Sequence, residues 1–405
     1  MHIVQFVHPD FLNSKSMPRF AQMIAEGMRA RGHQVETWTA KPWAYRIPAP
    51  ARLKKWLGYM DQFIFFPLVV RWRLRRLAPD TVFVFGDQAL GPWVPLVADR
   101  PHAIHVHDFM ALRSALGEFS QNPTGWAGRQ YQALIRRGFG QGKCFVSVSE
   151  NTRRQLLRFL PQQPEVSEVI YNGLNHPFRP MGAAESLAEL RPAGLTPPPD
   201  GFLLHVGGNE WYKNRHGVLE IYQAYAEQTE NPLPLWLVGT EPSAALKAQA
   251  QHPTLKDRVR FISGLSNEQV CAAYSAARLL VFPSLAEGFG WPIAEAMACG
   301  CLVLTTGEAP MTEVGGQAAF YVPVRPAQDA QAWARSAGHR VVEILHFTAD
   351  EVARRRQLGY RQAARFDARQ TLDAYEQIYR QALGKAQTRS GAVQPVPKPE
   401  PASGP

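Results

Sequence analysis

The sequence of 405 residues lacks the features that mark membrane-spanning and exported proteins. No apolar run approaches the roughly 18 residues that a membrane-spanning helix needs. Residues 1–7 have the character of a first strand, without the basic leader and the cleavage site of a signal peptide. These absences predict a globular protein that works in the cytoplasm.

Cysteine is scarce, and its spacing favours neither a metal site nor a disulfide framework. The four residues are Cys144, Cys271, Cys299 and Cys301, and they lack the spacing of metal ligands. Cys144 and Cys301 begin apolar runs, as buried thiols do. Cys299 and Cys301 stand two apart across a predicted helix end, which is a poor geometry for a bridge. We therefore expect buried, reduced thiols.

Acidic residues are scarce in the first half of the chain. Residues 1–180 contain 23 Lys and Arg but 12 Asp and Glu, whereas residues 181–405 contain 21 and 22. This asymmetry predicts an anionic partner for the first half. Because no nucleic-acid-binding motif is present, we expect an acidic membrane surface rather than nucleic acid.

One segment of the first half combines basic and strongly apolar character. Residues 52–76 contain the run QFIFFPLVV, flanked on both sides by Lys and Arg. This pattern fits an interfacial membrane helix, and it fits equally a crossover helix whose apolar face covers a sheet. A single helix can do both with different faces.

Strand-like and helix-like segments alternate along the chain, which predicts an α/β fold with parallel sheets. The length suits two domains of about 150–200 residues each. The candidate strands of the first half are residues 3–7, 35–39, 82–85, 103–106, 144–148 and 169–171. Those of the second half are residues 202–206, 235–238, 259–262, 279–282, 301–304 and 320–322.

A segment rich in Ala, Gly and Pro, residues 181–200, separates the two halves. We therefore predict a first domain over residues 1–180 and a second over residues 181–366. Helical stretches close the fold, the last over residues 367–383. From Gly384 the chain is rich in Gly, Pro and Ser without apolar periodicity, so residues 384–405 are expected to be a disordered tail.

The most informative motif is a pair of glutamates at the start of one short helix. The apolar run 279–282 ends in a loop with Glu287 and a Gly-Phe-Gly sequence, and Pro292 opens a helix that contains Glu295. Both carboxylates thus lie at the carboxyl end of a strand. In open α/β sheets this edge is where ligands bind.

The chemistry of this motif suits a nucleotide-sugar. The backbone N–H groups of Gly288, Phe289 and Gly290, together with the helix dipole, can hold a diphosphate. A carboxylate accepts two hydroxyl hydrogen bonds, so we expect Glu295 to hold a ribose diol and Glu287 a hexose diol. The alternative is a pair of solvated charges at a helix N-terminus, which the Gly-Phe-Gly-x-Pro context disfavours.

The motif resembles the Glu-x7-Glu signature of retaining glycosyltransferases of family 4. The similarity extends over most of the chain outside the tail, through IVQFVHP at the start, HVHD at 105–108, FVSVSENT at 145–152, VIYNG at 169–173, LLHVGG at 203–208 and RFISGLSNEQV at 260–270. The resemblance implies the GT-B architecture, in which two Rossmann-like domains face each other across a cleft. It also implies that the C-terminal domain binds a nucleotide-diphosphate sugar and the N-terminal domain the acceptor. In the family the last helix crosses back onto the first domain.

The resemblance assigns further donor contacts in the second domain. Lys213 lies where family members place a lysine against the diphosphate; the alternative is a surface lysine at a helix start. The arginine that usually accompanies it is missing, since Gly208 occupies its place. We expect Asn209 or Arg215 to substitute for it.

The resemblance also assigns residues in the first domain. His107 lies where the family has a histidine near the donor sugar and the reacting centre, beside Asp108; a structural histidine that holds the loop is the alternative. The glycine pair that many members carry after the first strand is replaced by bulkier residues. Here Ser16 is expected to cap the following helix, while Lys15 meets phosphate.

The sequence contains no Asp-any-Asp motif, which metal-dependent transferases of another fold use to bind Mn²⁺ or Mg²⁺. We therefore predict a retaining, metal-independent glycosyltransferase without a cofactor. Its donor is a nucleotide-diphosphate sugar and its acceptor a glycan, lipid-linked or polysaccharide precursor at the inner face of the cytoplasmic membrane. The alternatives are a nucleotide-sugar epimerase of GT-B-like fold and a non-catalytic nucleotide-binding scaffold of a glycan assembly complex.

Overall fold

A computed structural model describes residues 1–12 and 16–391 and shows two parallel β-sheets of six strands each. The first sheet has the strand order β2-β1-β3-β4-β5-β6. Its strands are short and mostly buried on both faces, as in β3, where four apolar residues alternate Val and Phe. They are β1 His2–Phe6, β2 Gln34–Trp38, β3 Val82–Phe85, β4 His102–Val106, β5 Cys144–Ser147 and β6 Val166–Val169.

The second sheet has the order β12-β11-β10-β7-β8-β9, so the direction of winding reverses between β7 and β10. Its strands are β7 Leu203–Gly207, β8 Leu235–Gly239, β9 Val259–Ile262, β10 Leu279–Phe282, β11 Leu302–Thr306 and β12 Phe320–Val322. This is the dinucleotide-binding strand order, in which the crevice for a ligand opens at the reversal. The α/β fold and the parallel sheets predicted from the alternating pattern are confirmed.

Helices cover both faces of the two sheets. Those of the first half are α1 Ser16–Ala30, α2 Ala51–Met60, α3 Phe66–Leu74, α4 Met110–Ala115, α5 Trp126–Phe139 and α6 Glu150–Phe159. Those of the second half are α7 Ala183–Leu190, α8 Arg215–Ala226, α9 Ala244–Gln249, α10 Asn267–Ala276, α11 Trp291–Ala298, α12 Met311–Gly315, α13 Ala330–Leu345, α14 Ala349–Ala363 and α15 Ala368–Gly391. None of the helices in the described residues is long and apolar enough to cross a bilayer.

One strand prediction is wrong in detail. The last strand of the first sheet is Val166–Val169, not residues 169–171, because Val166 pairs with Cys144 and sets the register three residues earlier. Residues 181–200 are more than a connecting segment, since they contain α7, whose Leu190 is buried in the core of the second half.

The last helix, α15, returns to the first sheet. Tyr375 and Tyr379 are fully buried against it, and the Tyr379 hydroxyl lies 2.6 Å from Nε2 of His105 on β4. Helix α15 continues past Gly384 to Gly391, so the predicted start of a disordered tail lies too early. Residues 392–405 lie outside the described residues.

Candidate functional site

The loops that follow β7 and β10 meet where the winding of the second sheet reverses. Asn214 has a left-handed conformation (φ 53°), and its side-chain amide donates to the carbonyl oxygen of Pro283 at 2.9 Å. The N–H of Leu285 donates to the Tyr212 carbonyl oxygen at 2.8 Å. These bonds hold the loop of Lys213 against the loop of Glu287.

Lys213 and Glu287 form an ion pair at this meeting point. The Lys213 Nζ lies 2.8 Å from Oε1 and 3.1 Å from Oε2 of Glu287. The side chains are only 16% and 7% exposed, so the pair is shielded from solvent screening. An ammonium has three donors, which leaves Lys213 able to bind an anion while it keeps contact with Glu287.

Glu295 lies eight residues after Glu287, in α11. Gly290 precedes this helix with a φ of +102°, a conformation that L side chains rarely adopt, and Pro292 occupies its first turn as predicted. The Tyr274 hydroxyl donates to Oε2 of Glu295 at 2.9 Å. Burial raises the pKa of Glu295 to about 7, although the bond from Tyr274 and the charge of Lys213 both lower it.

The glutamate loop touches the first domain at Gly288. A Cβ on Gly288 would lie 2.2 Å from the carbonyl oxygen of His107, so only glycine permits this approach. The Ser149 hydroxyl donates to the Gly288 carbonyl oxygen at 2.9 Å, and the Thr152 hydroxyl donates to the His107 carbonyl oxygen at 3.2 Å. The two domains are therefore in contact beside the Lys213–Glu287 pair.

His107 and Asp108 directly follow β4, on the opposite wall of the cleft. The His107 Nε2 lies 3.0 Å from the carbonyl oxygen of Gly86 and therefore donates to it, which orients the ring. Burial lowers the pKa of His107. Asp108 accepts from the N–H of Met110 at 2.9 Å, and burial raises its pKa to about 6. The histidine thus holds its loop and also faces the cleft.

A cavity of about 150 Å³ separates the domains beside these residues. His107 lines it from the first domain, and Glu295 and Trp291 line it from the second. Asn172, which connects the domains, also lines it; this residue is 2% exposed and its Oδ1 has no hydrogen-bond partner among the described residues. The structure thus brings His107 and Glu295, which are 188 positions apart in the chain, to one cavity.

Asn209 and Arg215 lie together at the ends of β7 and β8. Arg215 donates from Nη1 to Asn209 Oδ1 at 2.6 Å and to the Thr240 carbonyl oxygen at 2.9 Å. Its side chain is buried, and its Nε and Nη2 atoms have no hydrogen-bond partner within the described part of the chain. A Cβ at Gly208 would meet the Glu210 carboxylate, which is the end of a flexible side chain.

Three other residues were predicted to contact the donor. The Phe289 side chain is 3% exposed and packs against Trp291 and Phe366. Its side chain is therefore part of the core and does not enter the cleft. Lys15 lies outside the described residues. Ser16 begins α1, but its side chain also lies outside them.

Sequence reasoning missed a contact between the domains that involves Glu313. Its carboxylate accepts from the backbone N–H groups of Glu150 and Asn151, at 2.7 and 2.9 Å, at the first turn of α6. A carboxylate at a helix N-terminus is stabilised by the helix dipole. No local sequence pattern predicts this contact, because Glu313 and its partners are more than 160 residues apart in the chain.

The cysteines are free and buried, as expected. The sulfur atoms of Cys271 and Cys299 lie 3.5 Å apart. The pair considered from the sequence spacing is a different one, Cys299 and Cys301, because these two lie close together in the chain. Within residues 1–12 and 16–391, no three His, Cys, Asp or Glu side chains gather as a metal site.

Two family models match the chain, one for each half. The model of Glycosyltransferase Family 4 matches residues 17–177, and that of Glycosyl transferases group 1 matches residues 188–336. Both therefore include residues of the cleft described above.

Curated relatives are mostly mannosyltransferases. The O-antigen chain mannosyltransferase B of Escherichia coli is 27% identical over 254 residues, which are 61% of this chain and 64% of that protein. The GDP-mannose:cellobiosyl-diphosphopolyprenol alpha-mannosyltransferase of Komagataeibacter xylinus is 31% identical over 141 residues, 35% of each protein. The chain thus spans less than two thirds of the length of these relatives.

Solved structures match over nearly the whole chain. The sucrose-phosphate synthase of Thermosynechococcus elongatus superposes with a TM-score of 0.67 at 20% identity, covering 97% of this chain and 100% of that one. Anabaena HepE in complex with UDP and glucose superposes with a TM-score of 0.63 at 18% identity, covering 96% and 100%. The fold is therefore the two-domain GT-B architecture.

Proposed function

The chain belongs to the glycosyltransferases of family 4, and from this premise we propose that it is a retaining, metal-independent mannosyltransferase. The donor is a nucleotide-diphosphate sugar of the GDP-mannose type, and the acceptor is a lipid-linked glycan or polysaccharide precursor. The printed names of the relatives support mannose as the sugar. The observation that carries the proposal is the placement of Lys213, Glu287 and Glu295 across the cleft from His107.

The donor is held by the second domain. Glu295 accepts two hydroxyl hydrogen bonds from the ribose, and Glu287 accepts hydroxyl hydrogen bonds from the sugar. Lys213 provides the positive charge against the diphosphate. The Nε and Nη2 atoms of Arg215 have no partner within the described residues and are two further buried donor atoms, to which phosphate oxygens would bind. They would replace the arginine that family members usually have at the position of Gly208.

The reaction transfers the sugar from diphosphate to an acceptor hydroxyl. Negative charge develops on the leaving diphosphate, where Lys213, the loop N–H groups and the N-terminus of α11 stabilise it. These groups stabilise the negative charge that a metal ion stabilises in other transferases. Their presence supports metal independence. Contact between Gly288 and the His107 loop closes the cleft and keeps water from the sugar.

The first domain binds the acceptor. Its cavity wall is formed by His107 and by Phe20 of α1, and its excess of basic residues suits an acceptor that carries a diphosphate. We place the enzyme at the inner face of the cytoplasmic membrane, where such lipid-linked precursors are exposed to nucleotide-sugars.

The activity is tested by incubating the purified protein with labelled GDP-mannose and a bacterial lipid extract. We expect label in the lipid-linked fraction with the wild-type protein and none with Glu287→Ala. A free sugar isomer formed without any lipid extract would instead identify an epimerase. Donor binding without transfer or hydrolysis, across GDP-, UDP- and ADP-sugars, would identify a non-catalytic scaffold.

A further inference from the structure

The most unusual surface of the protein lies on the helical segment between β2 and β3. Residues 51–74 form one continuous helix, since α2 and α3 are joined by a π-helical turn, Asp61–Phe65. Pro67, the second residue of α3, lacks the N–H that an unbroken α-helix would need.

The inner face of this helix is anchored to the first sheet. Gln62, Phe66 and Val70 are buried, and the Phe66 ring packs 4.5 Å from that of Trp93. The indole N–H of Trp93 donates to the Gln62 carbonyl oxygen at 2.8 Å. The crossover-helix interpretation of this segment is therefore correct for its inner face.

The outer face is apolar as well, and its side chains remain exposed, although the Arg76 guanidinium stacks 3.9 Å from the ring centre of Trp72. Its residues recur every fourth position, offset by two from the buried ones, which places them on the opposite side of the helix. Their exposed fractions are Trp56 63%, Met60 38%, Ile64 51%, Leu68 57% and Trp72 51%. We call these five residues the outer stripe.

Basic residues surround the outer stripe at both ends. They are Arg52, Lys54, Lys55, Arg71, Arg73, Arg75 and Arg76. None of these seven forms an ion pair within the described residues. The one acidic residue of the helix, Asp61, is buried and accepts from the N–H groups of Ala44 and Tyr45, both at 2.8 Å.

We propose that the outer stripe and its basic ends form a docking surface for an anionic lipid bilayer. Tryptophan is favoured at membrane interfaces, and the apolar side chains between the two tryptophans would enter the acyl boundary. The Lys and Arg side chains at both ends would reach anionic headgroups. The helix lies flat on the membrane rather than crossing it.

The charge distribution favours a bilayer over a second copy of this chain. Because both ends of the helix are basic, a two-fold pairing through the outer stripe would bring like charges together whichever way the helices ran. An anionic membrane instead complements both ends at once.

The docking surface begins beside the cleft. A Cβ on Gly58 would lie 3.3 Å from the ring of Phe11, which follows β1 at the carboxyl edge of the sheet. A docked protein would thus present the cleft edge of its first domain near the membrane. Delivery of a lipid-linked acceptor rests on the proposed function, whereas bilayer binding itself does not.

Vesicle co-sedimentation tests the docking surface. The full chain is mixed with vesicles of phosphatidylcholine containing 30% phosphatidylglycerol, or of phosphatidylcholine alone, at low salt (about 50 mM). We expect binding to the anionic vesicles, at least about tenfold weaker binding to the neutral ones, and loss of binding as salt rises.

Two variants and two matched controls locate the surface. Trp56→Ser with Leu68→Ser and Trp72→Ser removes apolar exposure, and Arg71→Glu with Arg75→Glu reverses charge. Each should lower anionic-vesicle binding at least about tenfold. Leu358→Ser, and Arg335→Glu with Arg361→Glu, alter exposed residues of the second domain and should leave binding unchanged.

Several results would overturn the proposal. These are wild-type protein that ignores anionic vesicles, variants that bind as tightly as wild type, or a wild-type dimer that the stripe variant dissociates. A cooperative thermal unfolding transition shows that the variants are folded. The nucleotide-induced shift of this transition is measured on the same preparations. It separates failure of this proposal from failure of the proposed function, because it requires no membrane.

Discussion

At the scale of single residues, Glu295 is a proposed donor contact whose pKa burial raises to near neutrality. Its pKa of about 7 reflects burial, and the Tyr274 hydroxyl occupies one of its oxygens in the absence of a donor. A protonated carboxyl cannot accept a diol with both oxygens, whereas the carboxylate can. Donor binding should therefore depend on pH near neutrality.

We predict that the affinity for a GDP-sugar rises as pH rises. If binding needs the carboxylate of Glu295, a pKa of about 7 makes the ionised fraction, and so the affinity, about tenfold higher at pH 8 than at pH 6. Isothermal titration with a nucleotide-sugar measures this, since its diphosphate does not titrate in the range. Glu295→Gln should bind weakly with a flat pH profile; an unchanged slope in that variant would contradict the assignment.

We predict that substitutions of Glu295 and Glu287 affect different kinetic quantities, donor binding and kcat respectively. Glu295→Ala removes two charged hydrogen bonds to the ribose and should weaken donor binding by about 10- to 100-fold. Glu287→Ala removes contacts near the reacting sugar and the partner of Lys213, so it should mainly lower kcat. Steady-state kinetics together with donor titrations distinguish these effects. Equal and small losses in both variants would show that the roles are assigned wrongly.

The sequence predicted these residues because their signals are local. Lys213 and Glu287 each follow a strand and precede a helix, and Glu295 lies in the helix that Glu287 precedes. Their place at the sheet edge could therefore be read from neighbouring residues. The contact of Glu313 with α6 could not, because the partner atoms are backbone N–H groups of another domain. Backbone donors carry no sequence signature.

At the scale of elements, the glutamate loop depends on one glycine for its contact with the first domain. The His107 carbonyl oxygen leaves no room for a side chain at Gly288. The hydroxyls of Ser149 and Thr152, at the N-terminus of α6, donate to the Gly288 carbonyl oxygen. This loop therefore couples the donor site to the position of the other domain.

Gly288→Ala should impair closure more than donor binding. The added Cβ would require a shift of the His107 loop, at a cost of about 1–3 kcal/mol. We expect turnover to fall at least about tenfold while the donor Kd changes by less than about threefold. Gly182→Ala is the matched control, since no atom lies within 4 Å of its added Cβ. Full turnover in Gly288→Ala would show that the contact is dispensable.

Element boundaries were harder to predict than element order. The register of β6 is set by pairing with β5, and α7 forms in a stretch whose Ala and Pro content suggested a connection. At β6 a tertiary contact decides the boundary, whereas α7 agrees with its local helix preference, since Ala, Glu and Leu are strong helix formers. The capping box of Ser266 and Gln269, by contrast, was predictable because both partners lie within one turn.

At the scale of the whole molecule, the proposed reaction has two domains act on one anionic substrate without a metal. We predict that sugar transfer persists in millimolar EDTA, because Lys213 and the N-terminus of α11 supply the positive charge. A transfer assay with and without chelator measures this. Complete loss in EDTA that Mg²⁺ or Mn²⁺ restores would contradict metal independence.

We propose that a nucleotide-diphosphate sugar binds where β7 and β10 diverge. The most direct test is a thermal-shift measurement of the full chain with GDP, UDP, ADP and their sugar conjugates, without metal. A ligand that binds only the native state raises the Tm by mass action. We predict a rise with GDP and GDP-mannose that Glu295→Ala abolishes and Glu227→Ala, an exposed glutamate of the same domain, retains. No rise with any nucleotide in folded protein would contradict the account.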